Sequence, residues 1–138
     1  MPKRFLRRRS EKERLANVIL IVEDDPKSLK LTRDLLRASG YTTIEATDGE
    51  QGVKLAKAEK PGLILMDIMM PKMDGLQACH QIKTGQTTKA IPVVMLTAVD
   101  YMLNKKLAIQ IMGANGYITK PFTPQELLDM ISRFLPPS

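Results

Sequence analysis

The 138-residue chain has one cysteine, one histidine and no apolar run long enough to cross a bilayer. Cys79 alone excludes a disulfide-stapled scaffold, and its lone thiol fits a reducing compartment, so the expected location is cytoplasmic. No Gly-x-Gly-x-x-Gly and no Walker-type loop occurs, which leaves nucleotide binding without support. Internal repeats are missing, and so are low-complexity segments behind the N-terminal basic run. No apolar stretch follows that run, so it is not a secretory signal. What is present is 43% hydrophobic residues, enough for one compact core and too many for a disordered chain.

Charge is unevenly placed. The chain carries a formal net charge of +6, which taken alone suggests a binder of nucleic acid or acidic surfaces. Residues 1–16, MPKRFLRRRSEKERLA, hold seven basic and two acidic residues, a net of +5. The other 122 residues hold 14 basic and 13 acidic ones and are close to neutral. The expected organisation is a basic N-terminal extension over 1–16 and one domain over 17–138.

From Asn17 the chain alternates. Val18-Ile-Leu-Ile-Val22 is a β-branched apolar run that reads as a strand buried on both faces. Asp25-Pro26 opens a helix to Ser39, with Leu29, Leu31, Leu35 and Leu36 at roughly helical spacing, and Gly40 stops it. Thr42 to Glu45 is a weaker strand. Asp48-Gly49 opens a helix through Glu59, with Val53 and Leu55 inward. Leu63 to Met66 is a third strand, and Met73-Asp74-Gly75 leads into a helix to about Thr84. Ile91 to Leu96 is a fourth strand, with Pro92 near its start. A helix from about Asn104 to Met112 follows, then a short strand at Gly116–Ile118. Thr123-Pro124-Gln125-Glu126 is a capping box that opens the last helix. Five strands alternating with five helices imply a doubly wound parallel sheet with right-handed crossovers and helices on both faces.

Ligands of open α/β sheets bind beyond the carboxyl ends of the strands. The first strand delivers Glu23, Asp24 and Asp25 there, the third Asp67 and the fourth Thr97, and the fifth leads to Lys120. Clustered carboxylates repel unless protonated or bridged by a cation. Oxygen ligands without His or Cys favour a hard ion, Mg²⁺ or Mn²⁺. A carboxylate beside such an ion is a nucleophile towards phosphorus, and a lysine and a hydroxyl can neutralise the phosphoryl oxygens. Phosphoryl transfer to an aspartate is the chemistry this set suggests.

The segments ILIVEDD, LILMDIMMPKMDG, PVVMLTA and GYITKPF resemble those of the receiver domain of bacterial two-component response regulators, in particular the stand-alone, chemotaxis-regulator-like kind. The resemblance covers about residues 17–135. It implies a flavodoxin-like five-stranded sheet in the order 2-1-3-4-5 with five helices. By position it makes Asp67 the phosphoacceptor and Glu23 and Asp24 the acidic pair for the metal, with the backbone carbonyl of Met69 a further ligand. It makes Lys120 and Thr97 the partners of the phosphoryl group, and Thr97 and Tyr117 the switch pair. Lys120-Pro121 is a candidate cis bond. The implied partners are a sensor histidine kinase or phosphotransfer protein and an unknown downstream protein. The implied output surface is the expected helix at 104–112, the strand from Gly116 and the last helix, and the implied state is a monomer or a weak phosphorylation-dependent dimer. Nucleic acid and membrane insertion are not expected.

Rival readings remain. Some phosphohydrolases use an aspartate nucleophile with a second aspartate two residues later; here that position is Met69, so a conventional enzyme is not expected. The chain could be the receiver part of a DNA-binding regulator, although Asn115-Gly116 replaces the acidic pair frequent before the switch aromatic in winged-helix regulators. Asp25 reads as a helix cap, His80 as an exposed bystander, and the arginines of the extension as a solvated segment.

Overall fold

The computed structural model describes residues 17–70, 72–98, 109–110 and 112–136. Five parallel strands run β1 Val18–Val22, β2 Thr42–Ala46, β3 Leu63–Asp67, β4 Val93–Ala98 and β5 Gly116–Lys120. Their order across the sheet is β2-β1-β3-β4-β5. Four helices are present among the described residues: α1 Pro26–Ala38, α2 Gly49–Glu59, α3 Gly75–Thr84 and α4 Pro124–Ser132. Most of the helix expected at 104–112 lies outside the described residues; Ile109 and Gln110 are helical.

Alternation along the central strands divides the core. Leu20, Val22, Ile64, Met66, Val93 and Met95 face α2 and α3, where Val53, Ala56, Ala78, Cys79 and Ile82 meet them. Ile19, Ile21, Leu63, Leu65, Val94 and Leu96 face α1 and α4, where Leu29, Leu36, Leu127 and Ile131 meet them. Every residue of β1 and β3 is buried, as continuous apolar runs between two helical layers require.

Local chemistry explains the helix starts. Asp25, Asp48, Asp74 and Thr123 are N-caps, each accepting a hydrogen bond from the backbone N–H three residues on. Proline fills the first turn of α1 and α4, where its missing N–H costs nothing. In the capping box the Thr123 hydroxyl also donates to the Glu126 carboxylate, 3.1 Å away.

Three expectations need correction. Leu31 does not join the apolar stripe of α1: it is 73% exposed, and Thr32 is buried in that turn instead. Residue 31 sits two positions after Leu29, about 200° around the helix, so it leaves the face that Leu29 and Leu36 share. β4 starts two residues later than read, because Asn115 Oδ1 accepts the Val93 N–H at 2.9 Å and the Pro92 carbonyl accepts the Ile64 N–H at the sheet margin. β5 runs two residues further, so Lys120 is its last residue, paired with Ala98.

The burial contrast on α1 is measurable. Leu36→Ala should lower the unfolding free energy by about 2–4 kcal/mol in urea titration. Leu31→Ala should change it by less than about 0.5 kcal/mol.

Candidate functional site

The topology reverses between β1 and β3: β2 lies outside β1, and the chain then crosses to the other side. A crevice opens at the carboxyl ends of strands flanking such a point. β1 ends directly before Glu23 and Asp24, and β3 ends on Asp67. One carboxylate oxygen from each of the three lies within 4.8 Å of the others. Glu23 and Asp67 are buried and Asp24 is exposed at the rim.

Lys120, arriving from β5, enters the same crevice. Its Nζ donates to Glu23 Oε1 at 2.8 Å and stands 3.7 Å from Asp67 Oδ2. The lysine therefore rests on Glu23, with Asp67 as its second neighbour. The Met69 N–H donates to Asp67 Oδ1 at 3.3 Å, while the Met69 side chain is 62% exposed. The Asp25 N–H donates to Glu23 Oε2 at 3.4 Å.

Three carboxylates face one ammonium, and the protonation balance reflects it. Burial pushes the Asp67 carboxyl up to about 7, helped by its hydrogen bond with Glu23 and opposed by the Lys120 charge. Burial also pushes Glu23 up, but hydrogen bonds from Asp67 and Lys120 outweigh it and hold Glu23 below its ordinary value. Without a divalent ion the pair thus keeps one proton, on Asp67, below about pH 7. An all-oxygen donor set with negative charge to spare fits a hard divalent ion, which would displace that proton.

Glu23, Asp24, Asp67 and Lys120 are brought together; the other site expectations fare differently. Thr97 is buried near the end of β4, and its hydroxyl donates to the Ala98 carbonyl at 3.3 Å. Tyr117 is half-buried, opposite Met95 in the sheet, and packs on the core under α2 and α3. Asp25 is a cap, accepting from the Ser28 N–H at 3.0 Å and the Ser28 hydroxyl at 2.8 Å. The Lys120-Pro121 bond is cis. His80 is exposed on α3, and burial pushes the neighbouring Cys79 thiol up to about 11, leaving it inert.

Two features were not read from the sequence. Gly75 starts α3 so close to β3 that a Cβ there would collide with the Asp67 carbonyl oxygen, and its N–H donates to the Ile68 carbonyl at 2.8 Å. Met73-Asp74-Gly75 reads as a helix start; the close approach is a tertiary fact. The second feature is a largely apolar groove of about 630 Å³ beside the crevice, lined by Leu31, Leu35, Phe122 and Pro124 and reaching Glu23 and Lys120. Leu31, read with the leucines of the α1 stripe, gave no sign of it.

The raised Asp67 value fixes the sign of a stability effect. The native state keeps a proton that the unfolded chain releases between about pH 4 and 7, so Asp67 stabilises the fold at low pH and loses this contribution as pH rises through 7. With divalent ions chelated, Asp67→Asn should be more stable than wild type at pH 8, by about 2 kcal/mol, and this gain should shrink towards pH 4.5. Melting temperatures across that range check it.

Comparison with known proteins meets this geometry. Residues 19–132 match the response regulator receiver domain family. The chain is 43% identical over 109 residues to the alkaline phosphatase synthesis transcriptional regulatory protein PhoP of Bacillus subtilis, covering 79% of this chain but 44% of PhoP. It thus spans about half the length of that relative. It is 37% identical over 117 residues to the polar-differentiation response regulator DivK of Brucella anthropi, covering 85% of this chain and 94% of DivK. The crystal structure of the receiver domain of the sensor histidine kinase PA1611 from Pseudomonas aeruginosa superposes with a TM-score of 0.80 at 31% identity, covering 86% of this chain and 96% of that one. That structure holds a magnesium ion coordinated in its active site cleft. The chain belongs to the response regulator receiver domain family.

Proposed function

We propose that Asp67 accepts a phosphoryl group from a phosphohistidine on a sensor kinase or phosphotransfer protein, and that the phosphorylated domain signals by protein–protein contact. The observation that carries this is the buried Asp67 carboxyl beside Glu23 and Asp24, with Lys120 Nζ 3.7 Å away. In the transfer an Asp67 oxygen forms the new O–P bond while the N–P bond of the donor imidazole breaks, and the departing imidazole takes up a proton.

Glu23 and Asp24, with Asp67 and the Met69 backbone carbonyl, would hold Mg²⁺ or Mn²⁺. When bound, the ion supplies positive charge against the phosphoryl oxygens. Lys120 has to turn from Glu23 towards the incoming group, and its ammonium then offsets part of the added negative charge. The Thr97 hydroxyl, spent on a neighbouring carbonyl in the unphosphorylated protein, is free to swing to a phosphoryl oxygen. Tyr117 follows into the space behind it. This couples the site to β5 and α4 as a population shift between two surfaces.

The reading favours a stand-alone receiver, because DivK is covered almost end to end. Under it, residues 17–138 form the receiver and residues 1–16 a basic extension, the protein is a monomer or weak phosphorylation-dependent dimer, and the location is cytoplasmic. The second reading, the receiver part of a DNA-binding regulator, draws on the 43% identity to PhoP.

Acetyl phosphate with Mg²⁺ should label the wild type stoichiometrically and Asp67→Asn not at all, and p-nitrophenyl phosphate should not be turned over. Label that survives the substitution, or catalytic turnover of the phosphatase substrate, contradicts the proposal.

A further inference from the structure

Both walls of the crevice rest on one short turn. The Ala46 carbonyl, at the end of β2, accepts the Glu23 N–H at 3.0 Å, which ties the acidic wall to this turn. Three residues on, Gly49 opens α2 directly against the chain that leads into α3. A Cβ at Gly49 would lie 2.5 Å from the Met73 carbonyl oxygen and 3.3 Å from the Ala78 side chain. Met73 is two residues before Gly75, which packs on the Asp67 backbone and donates to the Ile68 carbonyl. The same helix meets the acidic wall a second time. Gly52 faces Val22, the residue before Glu23, and a Cβ there would lie 2.9 Å from a Val22 methyl group.

The turn between these contacts is fastened at its own ends. The Gln51 N–H donates to Asp48 Oδ1 at 2.8 Å, and Gln51 Oε1 accepts the Thr47 N–H at 2.7 Å. Glycine weakens a helix relative to alanine. Gly49 and Gly52 both lie within α2 and neither has a left-handed φ, so their backbone does not demand glycine. What their bare Cα atoms give is closeness to the two walls.

We infer that the Ala46–Gly52 turn is a calliper: Gly49 and Gly52 are positioning residues that set the separation of Glu23 and Asp24 from Asp67, and with it the preference of the crevice for Mg²⁺ over the larger Ca²⁺. Mg²⁺ demands near-octahedral geometry at short oxygen distances, whereas Ca²⁺ accepts longer and more variable ones. A methyl group at position 49 has to displace Met73 or α2. The displacement reaches Asp67 through Gly75, or Glu23 through Ala46. In either case the oxygens lose the arrangement that the smaller ion requires. The inference rests on the reading of Glu23, Asp24 and Asp67 as ligands of the ion; it does not depend on phosphoryl transfer.

Calorimetric titration of the full chain with Mg²⁺ and, separately, with Ca²⁺ tests it. Gly49→Ala should weaken Mg²⁺ binding about tenfold or more. Its Ca²⁺ affinity should change by less than about threefold. Gly52→Ala should shift the ratio in the same direction but by less, because the Val22 side chain can turn aside, and it carries the test if Gly49→Ala does not fold. Lys54→Gly, on the exposed face of α2, lowers the melting temperature through helix propensity and should leave the ratio of the two affinities unchanged. Equal weakening for both ions in the folded glycine variants, or no weakening for Mg²⁺, would overturn the inference. So would a shift of the ratio in Lys54→Gly as large as that in Gly49→Ala. A wild type that binds no Mg²⁺ would overturn the ligand reading and the inference with it, which keeps the two failures apart.

Discussion

Glu23 and Asp67 share a crevice in which carrying both negative charges is costly unless a divalent cation joins them. Both are buried, Asp24 stands within 4.8 Å, and a single ammonium leans on Glu23 at 2.8 Å. A cluster with this imbalance stores repulsion that is relieved in two ways: a proton retained on Asp67, or a hard cation that takes its place. The rest of the molecule can be understood as the scaffold that makes the crowding unavoidable.

The scaffold works by burial. β1 is apolar throughout and β3 is apolar up to its last residue, Asp67, and both are buried between helices, which holds their carboxyl ends in place. One-residue slippage would send Glu23 or Asp67 into a helical layer. Gly75 holds the other boundary, letting α3 start against the Asp67 backbone, and the Met69 N–H turns towards the Asp67 carboxylate. Opposing the charge is Lys120, positioned by pairing of β5 with β4. Chemistry and stability therefore pull against each other at one point, as is usual where a fold holds a reactive group.

The legibility of this site in the sequence has a physical pattern. Alternating apolar runs and Asp or Thr caps are local, so β1, β3 and α2 were readable almost to the residue, and so was the start of α4, whose end at Ser132 comes before Phe134 and Leu135, which read as part of it. Glu23, Asp24, Asp67 and Lys120 were readable as a group because strand ends converge in any parallel sheet of this order. Leu31 misled, because leucine spacing alone does not say which leucines share a helix face. The choice of Glu23 over Asp67 as the Lys120 partner, the close approach at Gly75 and the groove beside Phe122 depend on distances between elements. The Thr97 hydroxyl, bonded to its own neighbour's carbonyl, is likewise a property of this state of the fold, and no spacing rule contains it.

Calorimetric titration with Mg²⁺ near pH 6.5, in two buffers of different ionisation enthalpy, measures the exchange of proton for cation directly. One ion per chain should bind with release of a large fraction of a proton, and Asp67→Asn should abolish the release. Binding with no proton released, or release that persists in Asp67→Asn, would contradict the account of the crevice given above.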